Sequence, residues 1–252
     1  MPYELDDRLV IGVASSAVFD LSDSDAIFKA HGEEEYRKFQ EKNLENPLPK
    51  GIAFPFIKRL LSVNDLSPSD PLVEVVLLSR NDPDTGLRVM KTIEHYGLGI
   101  TRAIFMQGRS PYEYIPALNI ALFLSGNKPD VDAAIRMGHP AGQVLDSTFD
   151  DNDEDKSLRI AFDFDGVLAG DESETVMQES GLTEFHAHEV KNVMQPHNPG
   201  PLKEFLVRIS KIQSAEEEHK KTNPGYGNRI RVSIVTARNA PSHERALNTL
   251  KN

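Results

Sequence analysis

Apolar and polar positions in the first half of the chain follow two periods, and these periods predict the elements of the fold. Short continuous apolar runs are typical of buried strands, whereas apolar positions three and four residues apart are typical of helices. The predicted strands are residues 9–14, 101–106, 121–125 and 141–145, and the predicted helices are residues 85–95, 108–116 and 129–137. Strands that alternate with such helices predict an α/β fold with a mainly parallel sheet and right-handed crossovers.

The second half repeats these kinds of element, with a long insert between its strands. Apolar runs at residues 160–162 and 232–235 predict two strands, and residues 173–228 between them are helical by pattern. We expect this insert to form a cap over a site at the strand ends, from which it would exclude water. A further predicted helix, residues 242–250, follows the second strand.

The two halves also match each other in sequence. An offset of 149 residues places Ile11 on Ile160 and keeps Asn, Pro, Gly and Arg positions in register; further on, the offset is 158 and residues 80–83 match residues 238–241. We interpret the chain as tandem duplicated α/β units. The alternative is that two unrelated α/β units share apolar strands and helix patterns, which does not account for the coincident polar positions.

The repeat predicts the domain boundaries and assigns the chemistry to one half. Residues 1–149 would form the first copy, the acidic run 150–156 a linker, and residues 157–252 the second copy. Ala14 and Ser16 of the first copy correspond to Asp163 and Asp165 of the second. A neutral pair supplies neither a carboxylate nucleophile nor a metal ligand, so the first copy is expected to be degenerate, with a structural or substrate-binding role.

Composition excludes several classes of function. A formal charge of −11 over 252 residues argues against binding to nucleic acid, and no apolar run is long enough for a membrane span. The absence of cysteine excludes disulfides and thiolate metal sites. We therefore expect a cytoplasmic protein without a membrane partner, and the oligomeric state, including a homo-oligomer, stays open.

Two acids and a glycine after the strand at residues 160–162 are the candidate catalytic motif. Asp163 and Asp165 flank Phe164, so they would project to one side if the strand continued to this point, and Gly166 would let the backbone turn away. Paired carboxylates suit a divalent cation and a phosphoryl group. The alternative for the motif alone is a polar turn. Thr236 ends the second apolar run and would bring a hydroxyl to the same edge.

These features resemble the haloacid dehalogenase-like superfamily, and longer segments resemble the cytosolic 5′-nucleotidase type I family and its bacterial relatives. The match covers nearly the whole chain. Its segments are Val10-Ile-Gly-Val-Ala-Ser-Ser-Ala-Val-Phe-Asp-Leu21, residues 75–88, 93–97 and 108–112, Asp163-Phe-Asp-Gly-Val-Leu168, residues 171–174, and Val235-Thr-Ala-Arg-Asn-Ala-Pro-Ser-His-Glu-Arg245. The resemblance implies a Rossmann-like fold and Mg²⁺-dependent hydrolysis of nucleoside 5′-monophosphates to nucleoside and phosphate.

The same resemblance implies roles for individual residues. Asp163 would attack phosphorus and form an aspartyl-phosphate, and Asp165 would protonate the leaving oxygen and then activate water. Mg²⁺ would take a carboxylate oxygen of Asp163 and the backbone carbonyl of Asp165. The implied phosphate-binding groups are Thr236 and the backbone near Gly166. Arg238 and Arg109 are further candidates for substrate binding, with a surface turn as the alternative for Arg109. For Arg238, capping of strand ends is an equal alternative.

The chain departs from the superfamily pattern at its end. The Lys of the third motif and the acidic residues of the fourth, which complete phosphate and Mg²⁺ binding in the superfamily, do not appear before Asn252. We expect a truncated chain or a fragment. The alternative is that the first copy supplies substitutes, with Arg109 as the candidate cation.

Other polar residues have structural alternatives. Asp171 and Glu172 would assist the site or cap a helix, and Tyr112 and Tyr114 would hold a base or lie in a surface turn. His186 and His188 are two residues apart on a predicted helix, a spacing that does not favour a shared metal. Two other functions compete with the nucleotidase: a non-catalytic nucleotide-binding or regulatory module, and a phosphatase for another phosphorylated metabolite.

Overall fold

The computed structural model describes residues 4–81, 83–147 and 151–251, except for the side chains of residues 83–85. It divides into two compact units. The first unit comprises residues up to 158 together with 215–229, and the second comprises 159–214 together with 230–252. Residue 150, the start of the predicted linker, and Asn252 lie outside the described residues.

Five strands in the described part of the first unit form one sheet in which every pair of neighbours is parallel. The strand order is β3-β2-β1-β4-β5. The strands are β1 (Leu9–Val13), β2 (Val73–Ser79), β3 (Arg102–Phe105), β4 (Ile120–Ser125) and β5 (Ala141–Gln143). Every residue of β1 and β2 is buried, as expected for central strands covered on both faces. The predicted α/β fold with a parallel sheet is confirmed.

Helices cover the sheet of the first unit. They are α1 (Ser15–Val18), α2 (Ser22–Lys42), α3 (Phe54–Ser62), α4 (Pro83–His95) and α5 (Lys128–Arg136). The prediction of a helix within residues 108–116 is wrong, because this segment contains only the short turn Tyr112–Tyr114. Pro111 and Pro116 bound the turn and leave too few free backbone N–H groups between them for an α-helix.

The described residues from 158 onward form a sheet of two strands and four helices. The strands are β6 (Leu158–Asp163) and β7 (Ile230–Val235), and the helices are α6 (Glu172–Ser180), α7 (Leu182–Lys191), α8 (Lys203–Thr222) and α9 (His243–Lys251). Leu158 and the part of α8 from residue 215 belong to the first unit, and the rest belongs to the second. Burial alternates along both strands. On the covered face, the rings of Phe162 and Phe205 pack with centroids 5.7 Å apart, whereas Val235 is 57% exposed.

Ion pairs attach the acidic run after residue 150 to the first unit. Asp153 accepts from Lys50 at 3.1 Å and from Lys58 at 2.8 Å, and Asp151 lies 2.5 Å from Arg59. The Asp153 pairs are exposed to solvent and contribute little each. Several ion pairs nevertheless hold the run against the first unit, two of them to residues of α3. The run is therefore not an unattached linker.

Gly200 packs directly against backbone, and this contact yields a testable expectation. A Cβ at residue 200 would lie 2.5 Å from the carbonyl oxygen of Val167 and 2.6 Å from that of Ala169. We expect Gly200→Ala to lower the free energy of unfolding by about 1–3 kcal/mol, because backbone must move to admit the methyl group. Gly225→Ala is the matched control, since no atom lies within 4 Å of its Cβ position. Equal urea midpoints for the two variants would contradict the packing.

Candidate active site

The turn after β6 presents two carboxylates in different ways. β6 ends at Asp163, whose exposed carboxylate accepts a hydrogen bond from the N–H of Phe164 through Oδ1 at 2.8 Å. Phe164 is buried and anchors the turn. Asp165 is extended, and Gly166 has φ +70°, which glycine adopts without strain. Since the strand does not reach Asp165, the turn and not strand alternation determines where its side chain lies.

The guanidinium of Arg238 donates hydrogen bonds to both carboxylate oxygens of Asp165. Its Nε lies 3.0 Å from Oδ1 and 3.1 Å from Oδ2 of Asp165, and its Nη2 lies 2.6 Å from Oδ1. The side chain of Arg238 is only 2% exposed, and its plane packs near the rings of Phe164 and Phe185. Burial alone would lower the pKa of Arg238, but hydrogen bonds and charge attraction from Asp165 and Glu189 raise it. The guanidinium is therefore a fixed positive charge beside the turn.

Glu189 of α7 is the buried centre of this charge network. It is 1% exposed. Its carboxylate accepts hydrogen bonds from Arg238, from Arg245 at 2.9 Å and from the hydroxyl of Ser173 at 2.8 Å, and lies 3.2 Å from His197 Nε2. Two guanidinium groups thus share one buried carboxylate. The network joins the β6 turn, helices α6 and α7, and α9.

The surroundings of Glu189 hold its carboxyl in the charged form. Burial alone would raise its pKa, but hydrogen bonds from His197 and Ser173, together with Arg238 and Arg245, lower the pKa well below the ordinary value of 4.5. A carboxylate that is charged at lower pH in the folded than in the unfolded state stabilises the fold above its unfolded pKa. That stabilisation is lost as the pH falls through 4.5 towards the folded value.

We expect this loss to be visible in acid. Urea midpoints measured from about pH 6 down to about pH 3 should fall more steeply for the parent chain than for Glu189→Gln, which has no carboxyl to titrate. Parallel curves for the two proteins would show that Glu189 does not couple protons to folding.

The other residues predicted to bind substrate differ in their burial and in the hydrogen bonds that they make. Thr236 follows β7 directly; its exposed side chain accepts the backbone N–H of Arg238 through Oγ1 at 3.2 Å. Arg109 belongs to the first unit, after β3, and its side chain is exposed. Tyr112 is a core residue, with a pKa raised by burial and by its hydrogen bond to Asp130. Tyr114 is exposed.

The polar residues for which the sequence left a structural role open make contacts within the second unit or lie at a helix end. Asp171 is the N-cap of α6, although its side chain makes no capping hydrogen bond. Glu172 pairs with Arg245 at 2.7 Å. His186 Nδ1 lies 2.5 Å from the Ser242 hydroxyl, whereas His188 Nδ1 lies 3.2 Å from Glu189, so the two histidines have different partners.

Sequence reasoning missed Glu189, Arg245 and His197. One signal was present: Glu189 follows Phe185 by one helical turn, so the apolar face of α7 carries a carboxylate. A charge on a buried helix face needs a partner. The identity of that partner could not be read from spacing, because Arg238 and Arg245 are 49 and 56 positions away.

The first unit contains the same hydrogen bonds around a neutral residue. Arg88 donates to Gln40 Oε1 at 3.2 Å and to the carbonyl of Asn46 at 2.9 Å. In the second unit, Arg245 donates to Glu189 and to the carbonyl of Gln195, also at 2.9 Å. The offset of 149 residues places Gln40 on Glu189. The carboxylate is therefore specific to the unit that carries Asp163 and Asp165.

Asp163 and Asp165 offer the hard oxygen donors that Mg²⁺ prefers. Mg²⁺ commonly binds through one or two protein carboxylates and completes its shell with water and substrate phosphate. Within the described ranges, no group of three or more His, Asp or Glu residues is close enough to hold a metal ion. Arg238 contacts both carboxylate oxygens of Asp165, so the fitting donors are the exposed carboxylate of Asp163 and the backbone carbonyl of Asp165. A bound phosphate would complete this partial donor set.

A parallel α/β sheet in one unit, and in the other an Asp-x-Asp motif that begins at the last residue of a strand, are consistent with a Rossmann-like fold of the haloacid dehalogenase type. The family model for 5′-nucleotidases matches residues 1–252. Cytosolic 5′-nucleotidase 1B of Homo sapiens is 34% identical over 249 residues, which cover 96% of this chain and 40% of that protein. No solved structure matches the chain. The chain belongs to the 5′-nucleotidase family.

The chain thus spans about two-fifths of the length of the human relative. In the part of the chain that the structure describes, no helix combines the length and apolar character of a bilayer span.

Proposed function

We propose that this protein is a Mg²⁺-dependent phosphatase that hydrolyses nucleoside 5′-monophosphates through an aspartyl-phosphate. The observation that carries the proposal is the turn after β6, where an exposed Asp163 stands two residues from an Asp165 held by Arg238. Family membership supports the nucleotide as substrate. The human relative is named as a cytosolic 5′-nucleotidase.

Asp163 is the proposed nucleophile. Its Oδ1 accepts the N–H of Phe164, which fixes the carboxylate and leaves Oδ2 to attack. Oδ2 would form a bond to phosphorus while the bond between phosphorus and the nucleoside 5′-oxygen breaks. In the second step a water oxygen would bond to phosphorus, and the bond to Oδ2 would break to release phosphate.

Asp165 is the proposed acid and base of these steps. It would donate its proton to the leaving 5′-oxygen and then take a proton from the attacking water. Arg238 would keep the carboxyl in position through its two-nitrogen contact. The Thr236 hydroxyl and the backbone at Gly166 would hydrogen-bond the phosphoryl oxygens, and Arg109 stays a proposed substrate contact of the first unit.

Mg²⁺ is the proposed cofactor, held by Asp163 and by the backbone carbonyl of Asp165. It would offset negative charge on the phosphoryl group.

The first unit is proposed to be a degenerate copy of the second, which the repeated hydrogen bonds of Arg88 and Arg245 support. The helical insert between β6 and β7 would act as the cap. Its helix α7 supplies Glu189, and α6 begins directly after the catalytic turn. We also propose a cytoplasmic location.

The test is release of inorganic phosphate from a panel of nucleoside monophosphates by the 252-residue chain, with Mg²⁺ and with a chelator. Ribose 5-phosphate serves as the comparison substrate. Metal-dependent release that favours nucleotides is expected. Absence of release from folded chain would contradict the proposal, and equal release from ribose 5-phosphate would reassign the substrate class.

A further inference from the structure

A cavity of about 730 Å³ lies in the first unit. Its wall includes residues at the carboxyl ends of β1, β2 and β4, namely residues 14–16, 79–81 and 126–127. These strands are adjacent in the order β2-β1-β4. The carboxyl edge where strand order reverses is the position at which open α/β sheets bind ligands. The volume is that of a small-molecule site.

The floor of this cavity carries hydroxyl groups in place of carboxylates. Ala14, Ser15 and Ser16 follow β1 directly. Ser15 is only 7% exposed, and it lines the cavity together with Ser16. Gly126 admits close approach, because a Cβ there would lie 2.6 Å from the carbonyl oxygen of Ser16. The floor can bind a ligand but provides no acid to attack it.

Cations in the wall can hold one phosphate group. Arg80 is 49% exposed, and its ion pair with Asp130 is long, at 3.3 Å. Asp130 is itself buried and lies 3.4 Å from the Ser125 hydroxyl, so it keeps partners if Arg80 turns towards a ligand. Lys29 and Lys50 also line the cavity. A planar guanidinium that lines the same cavity as serine hydroxyls matches a phosphate monoester.

Acids in the same wall limit the charge of the ligand. Asp20, Asp25 and Asp146 line the cavity with Asp130, and Asp20 accepts hydrogen bonds from the N–H and hydroxyl of Ser22. Carboxylates accept hydrogen bonds from sugar hydroxyls. They also repel additional phosphates. The wall therefore favours a sugar with a single phosphate over a polyphosphate.

Aromatic rings stand at the edge of the cavity. Phe28 and Tyr36 pack edge to face with centroids 5.7 Å apart, and Phe28 is 50% exposed. Both rings, with Arg80 and Asn81, also line an adjoining cavity of about 550 Å³. An exposed ring offers a stacking surface for a planar base.

We propose that this cavity binds a nucleoside 5′-monophosphate and does not hydrolyse it. The phosphate contacts Arg80 and the Ser15 hydroxyl, the sugar faces the acidic wall, and the base stacks on Phe28. Asp163 does not line this cavity, and binding there does not depend on hydrolysis by the second unit.

The test counts AMP bound by equilibrium dialysis with Mg²⁺ present, using Asp163→Asn as the parent so that the nucleotide is not consumed. We expect two AMP per chain. Arg80→Gln should weaken one of the two sites by about ten-fold or more, because a charged hydrogen bond to phosphate is lost, and Phe28→Ser should weaken the same site. Arg136→Gln, at an exposed arginine of α5, is the matched control and should leave both sites intact.

The outcomes separate this site from the catalytic one. If only one AMP binds per chain and Arg80→Gln abolishes this binding, the cavity site is upheld and the proposed function fails. Unchanged binding in both Arg80→Gln and Phe28→Ser would overturn the proposal. ATP as competitor should displace the Arg80-dependent AMP poorly, and equal affinity for ATP would overturn the assignment to monophosphates.

Discussion

Asp163→Asn is expected to reduce phosphate release by more than about 1,000-fold, as removal of a covalent nucleophile does in other hydrolases. An amide nitrogen or oxygen does not replace the carboxylate oxygen that bonds to phosphorus. The side chain of Asp163 is exposed, and an amide oxygen can still accept the N–H of Phe164. The variant should therefore fold like the parent, and its urea midpoint should differ little.

The control for Asp163 is Asp171→Asn. Asp171 is an exposed acid eight positions further on, at the start of α6, and its side chain makes no capping hydrogen bond. Its replacement should leave phosphate release within about two-fold, the range of neutral surface changes. Retained turnover in Asp163→Asn would remove Asp163 from the mechanism. Loss of turnover in Asp171→Asn alone would move the chemistry to α6.

Glu189→Gln is expected to have the largest effect on stability, a loss of about 3–5 kcal/mol in the free energy of unfolding. Arg238 and Arg245 would then share a neutral amide in a buried position. Removing one charge from a buried network leaves the others without compensation, which costs more than the network contributes when it is intact. Turnover should also fall, because Arg238 would no longer be fixed beside Asp165.

Glu184→Gln is the matched control, since it lies on the same helix with an exposed side chain. Its urea midpoint should match that of the parent. The first unit has a glutamine, Gln40, beside Arg88, so an amide is compatible with this geometry when only one arginine needs a partner. A midpoint for Glu189→Gln equal to that of the control would contradict the charge network.

The sequence predicted the elements whose burial is uniform better than those whose burial depends on distant packing. β1 is buried throughout, and its continuous apolar run indicated a strand. The run at residues 232–235 has the same composition, yet β7 is covered on one face and Val235 is exposed. Local composition does not report which elements pack on a sheet, because that depends on residues far away in the chain.

The candidate site divides in the same way. Asp163, Asp165 and Gly166 are a local motif, and the positive φ of Gly166 matches the turn that was expected of it. The contact between Arg238 and Asp165 joins residues 73 positions apart. The spacing predicted that Asp165 and Arg238 both lie near strand ends. It did not predict that the guanidinium of Arg238 pairs with a carboxylate and is not left available to bind phosphate. This pairing depends on Glu189 of α7, because its buried carboxylate holds the guanidinium of Arg238 in place.

Reductive trapping of the aspartyl-phosphate would test the central claim most directly. The 252-residue chain is mixed with AMP and Mg²⁺, quenched, and treated with borohydride, which reduces an acyl phosphate to an alcohol. Peptide mass spectrometry then locates the reduced residue. We predict homoserine at residue 163, present only with nucleotide and absent from Asp163→Asn. Phosphate release without reduction at residue 163, or reduction at another carboxylate, would contradict the account.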